Sequence, residues 1–179
     1  MKITITEALA EVKTIGKRID KKKEFISQYV FRQEQVKDPL EKDGGSVTVL
    51  KRELQAIGDL QERLMRIRAG VIASNLATPI SIDGRTRTVT DWLTWRKDIA
   101  PGATAMIAQL RQGIESTRQQ MRAKGVTLGS ASVDLKPTDI IVNVDEMSLA
   151  REAERLEETL GTLDGKLSLL NATTTIDIE

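Results

Sequence analysis

The chain has 179 residues, with 27 Lys and Arg against 26 Asp and Glu, and it contains neither cysteine nor histidine. The missing cysteines exclude disulfides and thiolate chemistry, and the missing histidines remove the commonest general base and transition-metal ligand. Aromatic residues make up 3% of the chain and charged residues 30%, which favours long helices around an aliphatic core. We therefore expect one elongated, mainly α-helical domain over residues 1–179 that is not an enzyme and uses no cofactor or metal.

The first half of the chain predicts two long helices. Thr4 and Glu7 have the spacing of a capping box, and apolar residues then recur at helical intervals over about 5–35. A second apolar stripe covers about 47–74. The loop between the two stripes is rich in turn residues, so the helices are predicted to be antiparallel neighbours that form a hairpin over residues 1–125.

Residues 74–97 are predicted to form the tip of this hairpin. Asp83-Gly84 is the strongest short-range signal for a β-hairpin, which we expect near 80–89. A two-residue turn would place Ile82 opposite Arg85. That is a mixed pair, so a bulge at Arg85 is the alternative.

A further helix is predicted from Thr88, whose side chain would cap it. Pro101-Gly102 interrupts the pattern, so the helix either kinks there or breaks and begins again at Pro101. The apolar register continues across the interruption, which favours two segments that share one face. Gly125 is the predicted stop, and residues 126–137 are predicted to be an exposed loop.

The last part of the chain predicts a strand, a helix and a strand. β-Branched residues indicate a short strand over 139–144. Leucines, with Ala153 at one position, then alternate in steps of four and three over 149–170, as in a coiled coil. An alternating pattern predicts a strand over 173–178, whose partner is the 140–144 strand, the 80–89 hairpin or a neighbouring subunit.

Two motifs resemble known ligand-binding sites but lack the spacing that those sites require. Gly161 to Lys166 superficially resembles a phosphate-binding loop, but it is one residue short and lies within the leucine repeat. Asp139, Asp145 and Glu146 offer oxygen ligands near a strand end, but their spacing is not that of an EF-hand loop. Neither predicts a cofactor or metal site.

The tip offers the clearest candidate for partner binding. Trp92 and Trp95 are one helical turn apart and share a face. Either both cover the local core, or one of them anchors a partner, since Trp is a frequent hot-spot residue. The predicted partner-binding residues are Arg85, Arg87, Trp92, Trp95 and Arg96. Self-association is predicted through the heptad leucines, which could equally pack within one chain: Leu149, Leu156, Leu160, Leu163, Leu167 and Leu170.

Charge is distributed unevenly along the chain. Residues 1–125 hold 23 Lys and Arg against 15 Asp and Glu, whereas residues 126–179 hold 4 against 11. The acidic last helix could pack beside the basic ones, in the same chain or a neighbour. A basic surface for nucleic acid is the alternative, but the basic residues are interleaved with acids.

Three short segments carry a resemblance to a known group of proteins. They are Ser74-Asn75-Leu76-Ala77-Thr78, Asp83-Gly84-Arg85-Thr86 and Asp91-Trp92-Leu93-x-x-Arg96. With these, the chain resembles small uncharacterised helical proteins of bacteria and tailed phages, including the group called septicolysin-like. The resemblance covers about the first two-thirds of the chain. The Pro101-Gly102 interruption and the segments after Val126 differ from that group. The order of elements along the whole chain is similar to that of hypothetical proteins encoded among phage structural genes.

This resemblance implies a non-enzymatic structural protein of a tailed-phage virion. It would be a head decoration or cement protein, or another head- or tail-associated component, made in the host cytoplasm and not secreted by a signal peptide. Its expected partners are other virion proteins, with the major capsid protein one candidate, and further copies of itself; no membrane is involved and nucleic acid is not expected. The alternative hypothesis is a cytoplasmic helical binding module with a basic face for nucleic acid.

Overall fold

The computed structural model describes residues 1–124, 128–129 and 140–178. This part of the chain is mainly helical with small two-stranded sheets, as the composition and periodicity predict. Its helices are α1 (Ile5–Tyr29), α2 (Ser46–Ala77), α3 (Val89–Thr94), α4 (Ala100–Ala123) and α5 (Glu146–Thr173). Its strands are β1 (Lys2–Thr4), β2 (Pro79–Ile82), β3 (Arg85–Thr88), β4 (Leu128–Gly129), β5 (Ile140–Ile141) and β6 (Thr175–Asp177).

The chain divides into two compact units. The first, which we call the helical-pair unit, contains Met1–Thr78 and the segment that begins at Leu167. The second, the hairpin unit, contains Pro79–Lys166. Helix α5 contributes residues to both units. That residues 1–179 form one elongated domain stays a prediction.

Helix α1 begins at the predicted capping box and ends earlier than predicted. The Thr4 hydroxyl accepts a hydrogen bond from the Glu7 backbone N–H, and the Glu7 carboxylate accepts one from the Thr4 N–H. The helix ends at Tyr29 instead of continuing to about 35. Ile26 is the last residue that packs against the core, whereas the Phe31 side chain is 88% exposed. Without apolar surface to bury, the helix gains no packing energy from further turns.

Helices α1 and α2 are antiparallel, as predicted. Lys22 near the end of α1 pairs with Glu53 near the start of α2 at 2.6 Å, and Glu11 pairs with Arg63 further along. Both pairs lie at the margins of one aliphatic core. Its buried members are Ile5, Ala8, Ile15, Ile19, Ile57, Ile67, Ile176 and Ile178.

The last strand pairs with the first one. β6 lies antiparallel to β1, with Ile3 opposite Ile176, and the Ile5 N–H donates to the Thr174 carbonyl at 3.0 Å. This arrangement differs from the three predicted pairings, all of which overlooked β1. A three-residue strand directly before a helix cap carries too little alternation to be recognised from the sequence.

Helices α3 and α4 are joined by the widened turn Trp95–Ile99, which has π-helical hydrogen bonding. Pro101 opens α4, which is one of the two predicted alternatives, but no loop separates the segments. A proline ring would clash with the carbonyl four residues before it and has no N–H to donate. The wider turn accommodates both constraints.

The segment between α4 and α5 is described only in part. β4 lies parallel to β5, with Leu128 opposite Ile140, so the predicted strand over 139–144 is limited to Ile140–Ile141 in the described chain. α4 ends at Ala123. The predicted stop at Gly125 and most of the predicted loop over 126–137 lie outside the described residues.

Gly70 of α2 provides the first test, because a Cβ there would lie 3.3 Å from Cδ1 of Ile176. We expect Gly70→Val to lower the free energy of unfolding by on the order of 1–3 kcal/mol, since β6 cannot move away without exposing Ile176 and the adjacent Ile178. Gly16→Ala in α1 is the matched control, because open space surrounds that position. It should stabilise the protein by roughly 0.5–1 kcal/mol. Urea unfolding measures both, and unchanged stability of Gly70→Val would contradict this packing.

Asp38 before α2 provides a second test. Its carboxylate accepts hydrogen bonds from the Ser46 hydroxyl, the Ser46 N–H and the Leu40 N–H. These bonds, led by that from the Ser46 hydroxyl, lower the pKa of Asp38 to about 2. A lowered pKa in the folded state stabilises the protein in full above about pH 4, the ordinary carboxyl pKa, and the effect is lost as the pH falls towards 2.

We therefore expect Asp38→Asn to reduce the dependence of melting temperature on pH between about pH 4 and pH 2. Asp43→Asn, in the same loop, is the control and should retain the dependence of the parent protein. Equal acid sensitivity in the parent and in Asp38→Asn would show that the carboxylate does not anchor this loop.

Candidate functional site

The β2–β3 hairpin has the predicted turn and the direct register. Asp83 and Gly84 both have positive φ, at 51° and 72°, as a two-residue turn of type I′ requires. Ile82 lies opposite Arg85 and Ile80 lies opposite Arg87, so no bulge occurs at Arg85. Residues directly opposite in an antiparallel pair point to the same face of the sheet. The two arginines therefore share a face with the two buried isoleucines.

Helix α3 covers that face with Trp92. The helix begins at a capping box formed by Thr88 and Asp91. The Trp92 side chain is 3% exposed, and its indole N–H donates to the Ile80 carbonyl at 3.0 Å. The Arg87 guanidinium lies 5.6 Å from the centroid of the Trp92 ring, in cation–π geometry.

Trp95 lies beside Trp92 at the rim of the same face. The two ring centroids are 5.5 Å apart and the rings meet edge to face. Trp92 is buried, whereas Trp95 is half-buried. Of the two roles predicted for the pair, Trp92 takes the core role, and Trp95 keeps a surface that a partner could contact.

Helix α5 is fixed to the hairpin by two basic side chains. Nε of Arg155 donates to an Asp83 carboxylate oxygen at 2.7 Å, and a second guanidinium nitrogen donates to the same oxygen. This hydrogen bonding raises the pKa of Arg155 further above its ordinary value, so the guanidinium stays protonated at neutral pH. Lys166 donates to the Ser81 carbonyl at 2.7 Å.

These elements enclose a cavity of about 180 Å³. Three guanidinium groups and two carboxylates line it, and one of those guanidiniums is already paired with Asp83. Arg85 is exposed and forms no hydrogen bond or ion pair with any residue that the structure describes. The charged and aromatic lining residues are Asp83, Arg85, Arg87, Trp92, Trp95, Glu152 and Arg155. We call this cavity the tip pocket.

The structure brings together four of the five residues predicted to bind a partner. Arg85, Arg87, Trp92 and Trp95 line the tip pocket. Arg96 does not line it, and its guanidinium donates to Asp164 of α5 at 2.6 Å. No local pattern places Arg155 or Glu152 in this site, because their proximity to the hairpin depends on α5 returning to residues some 70 positions earlier.

The predicted self-association residues lie along α5, and none of them is fully exposed. Leu163 and Leu167 are 0% and 8% exposed. Leu149, Leu156, Leu160 and Leu170 are half-buried. Burial within one chain is what the intrachain alternative predicts. Self-association through this helix stays a prediction.

The described residues contain no group of three or more metal-ligating side chains placed to hold an ion. None of their helices combines the length and the apolar character needed to cross a bilayer.

Comparisons with known proteins identify no family. No established family description and no curated protein matches the sequence. In structure the chain is similar to a functionally unknown conserved protein from Corynebacterium diphtheriae, with 18% sequence identity and a TM-score of 0.49. The similarity covers 99% of this chain and 100% of that one. At so low an identity and TM-score, it carries no argument about function.

The indole hydrogen bond of Trp92 provides a third test. Trp92→Phe keeps an aromatic ring but removes the bond to Ile80 and leaves space in the core of the hairpin unit. We expect it to lower the free energy of unfolding by about 1–3 kcal/mol. Trp95→Phe should cost less, because its ring is half-buried and donates no hydrogen bond among the described residues. Guanidinium unfolding of both variants measures the difference, and a larger loss for Trp95→Phe would contradict these roles.

Proposed function

We propose that the protein is a non-enzymatic structural component of a tailed-phage virion that acts through protein–protein contacts at the tip pocket. Within the virion it would be a head decoration or cement protein, or another head- or tail-associated component. The resemblance of the segments over 74–96 to helical proteins of phages supports the virion setting. The tip pocket is the observation that supports the mechanism of binding.

The pocket favours an acidic side chain of a partner protein as its ligand. Arg85 and Arg87 have no carboxylate partner among the described residues, and arginine binds a carboxylate through two parallel hydrogen bonds. Trp95 adds a rigid apolar surface beside them, and Trp and Arg together are typical of interface hot spots. A cavity of about 180 Å³ is of the size of one side chain, not of an extended polymer.

The charge balance of the pocket separates this ligand from a nucleic acid. Glu152 lies in the same lining as the two available guanidiniums, so the site carries an excess of about one positive charge. One excess charge suits a single carboxylate, whereas nucleic-acid sites neutralise several phosphates. Along α1 and α2, Lys22 and Arg63 are paired with glutamates, which further weakens the alternative of a basic face for nucleic acid.

The decisive experiment tests whether the protein is present in purified particles of the phage that encodes it. We expect mass spectrometry to detect the chain in purified virions, and Arg85→Glu to lower its occupancy on the order of tenfold or more, because it places a like charge against the partner's carboxylate. Arg85 has no hydrogen bond or ion pair to lose among the described residues, so melting temperature should change much less than occupancy. Lys97→Glu, which reverses an exposed charge elsewhere in the hairpin unit, is the matched control and should retain normal occupancy.

Each part of the proposal has its own contrary result. Absence of the chain from virions would overturn the structural role. Normal occupancy of Arg85→Glu would show that the tip pocket does not bind the partner protein. Binding of DNA that weakens steeply with salt would support the alternative of a nucleic-acid module.

A further inference from the structure

The tip pocket contains one acidic side chain that no other described residue neutralises directly. The charged residues of its lining are Asp83, Arg85, Arg87, Glu152 and Arg155. Asp83 and Arg155 form an ion pair, so their charges cancel. Glu152 is exposed and forms no hydrogen bond or ion pair with any residue that the structure describes. Its negative charge therefore acts on any ion that the pocket binds.

The electrostatic field of Glu152 reaches the guanidinium groups of the lining. Hydrogen bonding to Asp83 and the charge of Asp83 are the main causes of the raised pKa of Arg155, and the charge of Glu152 contributes to it as well. Glu152 and Arg155 are three residues apart on α5, so their side chains share one face of the helix. An anion bound beside them would be repelled by the same field.

Arg85 and Arg87 supply the positive charge that is available to a ligand, and they are held differently. The Arg87 guanidinium lies over the Trp92 ring, 5.6 Å from its centroid. Trp92 is itself fixed by its hydrogen bond to the Ile80 carbonyl. Arg87 is therefore positioned before a ligand arrives, which reduces the entropy lost on binding. Arg85 is exposed and adds a second guanidinium at the same face of the hairpin.

The balance of these charges determines which anion the pocket prefers. With the Asp83–Arg155 pair neutral, two free guanidiniums and one carboxylate leave a net charge of +1. The attraction of a site for an ion rises in proportion to the charge of the ion, whereas the cost of removing the ion from water rises with the square of that charge. A weakly positive site therefore favours a singly charged ligand. Without Glu152 the net charge would be +2, and the balance would shift towards a dianion.

We propose that the tip pocket selects a singly charged carboxylate over a phosphate dianion, and that Glu152 is the residue that sets this selectivity. The selectivity rests on the proposed binding of a partner's acidic side chain at the tip pocket. It narrows that ligand, because it excludes phosphorylated side chains and assigns their exclusion to one residue. Near neutral pH a phosphoserine carries close to two negative charges, whereas a glutamate carries one.

Two capped pentapeptides test the selectivity on the purified full chain. Both are neutral except for the central side chain, which is glutamate in one and phosphoserine in the other. The chain has two tryptophans, so an NMR titration can follow binding at the indole N–H of Trp95, which lines the pocket. Trp95→Phe assigns that signal. We expect the parent protein to bind the glutamate peptide more tightly at about pH 7.5, where the phosphate is a dianion.

Glu152→Gln should shift the preference towards the phosphoserine peptide. Removal of the charge relieves the repulsion of both peptides, but about twice as much free energy is gained for the doubly charged one. For charges several ångströms apart in a largely aqueous setting, we expect the affinity for phosphoserine to rise roughly three- to tenfold more than that for glutamate. Glu152→Asp, which keeps the charge, should keep the preference of the parent.

Glu154→Gln is the matched control. It removes the same charge from an exposed position of α5, but it lies about 160° away around the helix and does not line the tip pocket. The ratio of the two affinities should therefore change much less than in Glu152→Gln. Equal changes in the two variants would show an effect of net charge alone and would overturn the role of Glu152.

Failure of the selectivity is distinguishable from failure of the proposed site. A parent protein that prefers the phosphoserine peptide would overturn the selectivity but leave anion binding at the tip pocket in place. A Glu152→Gln variant with the preference of the parent would overturn the role of Glu152 in the same way. Binding of neither peptide at the Trp95 signal would overturn both the selectivity and the proposed use of the tip pocket.

Discussion

The aliphatic core between the antiparallel helices α1 and α2 is the constraint on which the helical-pair unit depends. Its buried members are aliphatic, and seven of the eight are isoleucines. β-Branched side chains have few rotamers in helices, so they hold a fixed shape and lose little entropy when they pack. The half-buried pairs Lys22–Glu53 and Glu11–Arg63 lie along this core and set its register. The β1–β6 pair depends on it in turn, since Ile176 and Ile178 are part of the same core.

The tip pocket follows from the register of one short hairpin. The two-residue turn at Asp83-Gly84 sets Arg85 and Arg87 opposite Ile82 and Ile80. Two apolar side chains on that face require a cover, which Trp92 provides, while the arginines lie at its margin. A register shifted by one residue would turn both guanidiniums to the opposite face. The same turn residue, Asp83, also accepts hydrogen bonds from Arg155 of α5. One residue therefore both forms the turn and positions a guanidinium group in the lining of the pocket.

Features encoded by local chemistry were predictable from the sequence. The capping boxes at Thr4 and Thr88, the turn at Asp83-Gly84 and the apolar stripes of the long helices all depend on residues within a few positions of one another. Four of the five predicted tip residues line one pocket for the same reason, since 85–95 is one continuous hairpin and helix. The end of α1 at Tyr29, the β1–β6 pair and the part played by Arg155 were not found. Each depends on which distant residues come into contact, and a single sequence carries no local signal for that.

The pairing of β1 with β6 has a consequence for how the protein forms during synthesis. Helices α1 and α2 are synthesised well before two isoleucines of their shared core, which lie at 176 and 178. Until those residues emerge, the surface around Gly70 that receives Ile176 is open to water and to other chains. Between the synthesis of α2 and that of Ile178, the nascent chain therefore exposes an apolar patch, at which chaperones would act and at which truncated products would aggregate.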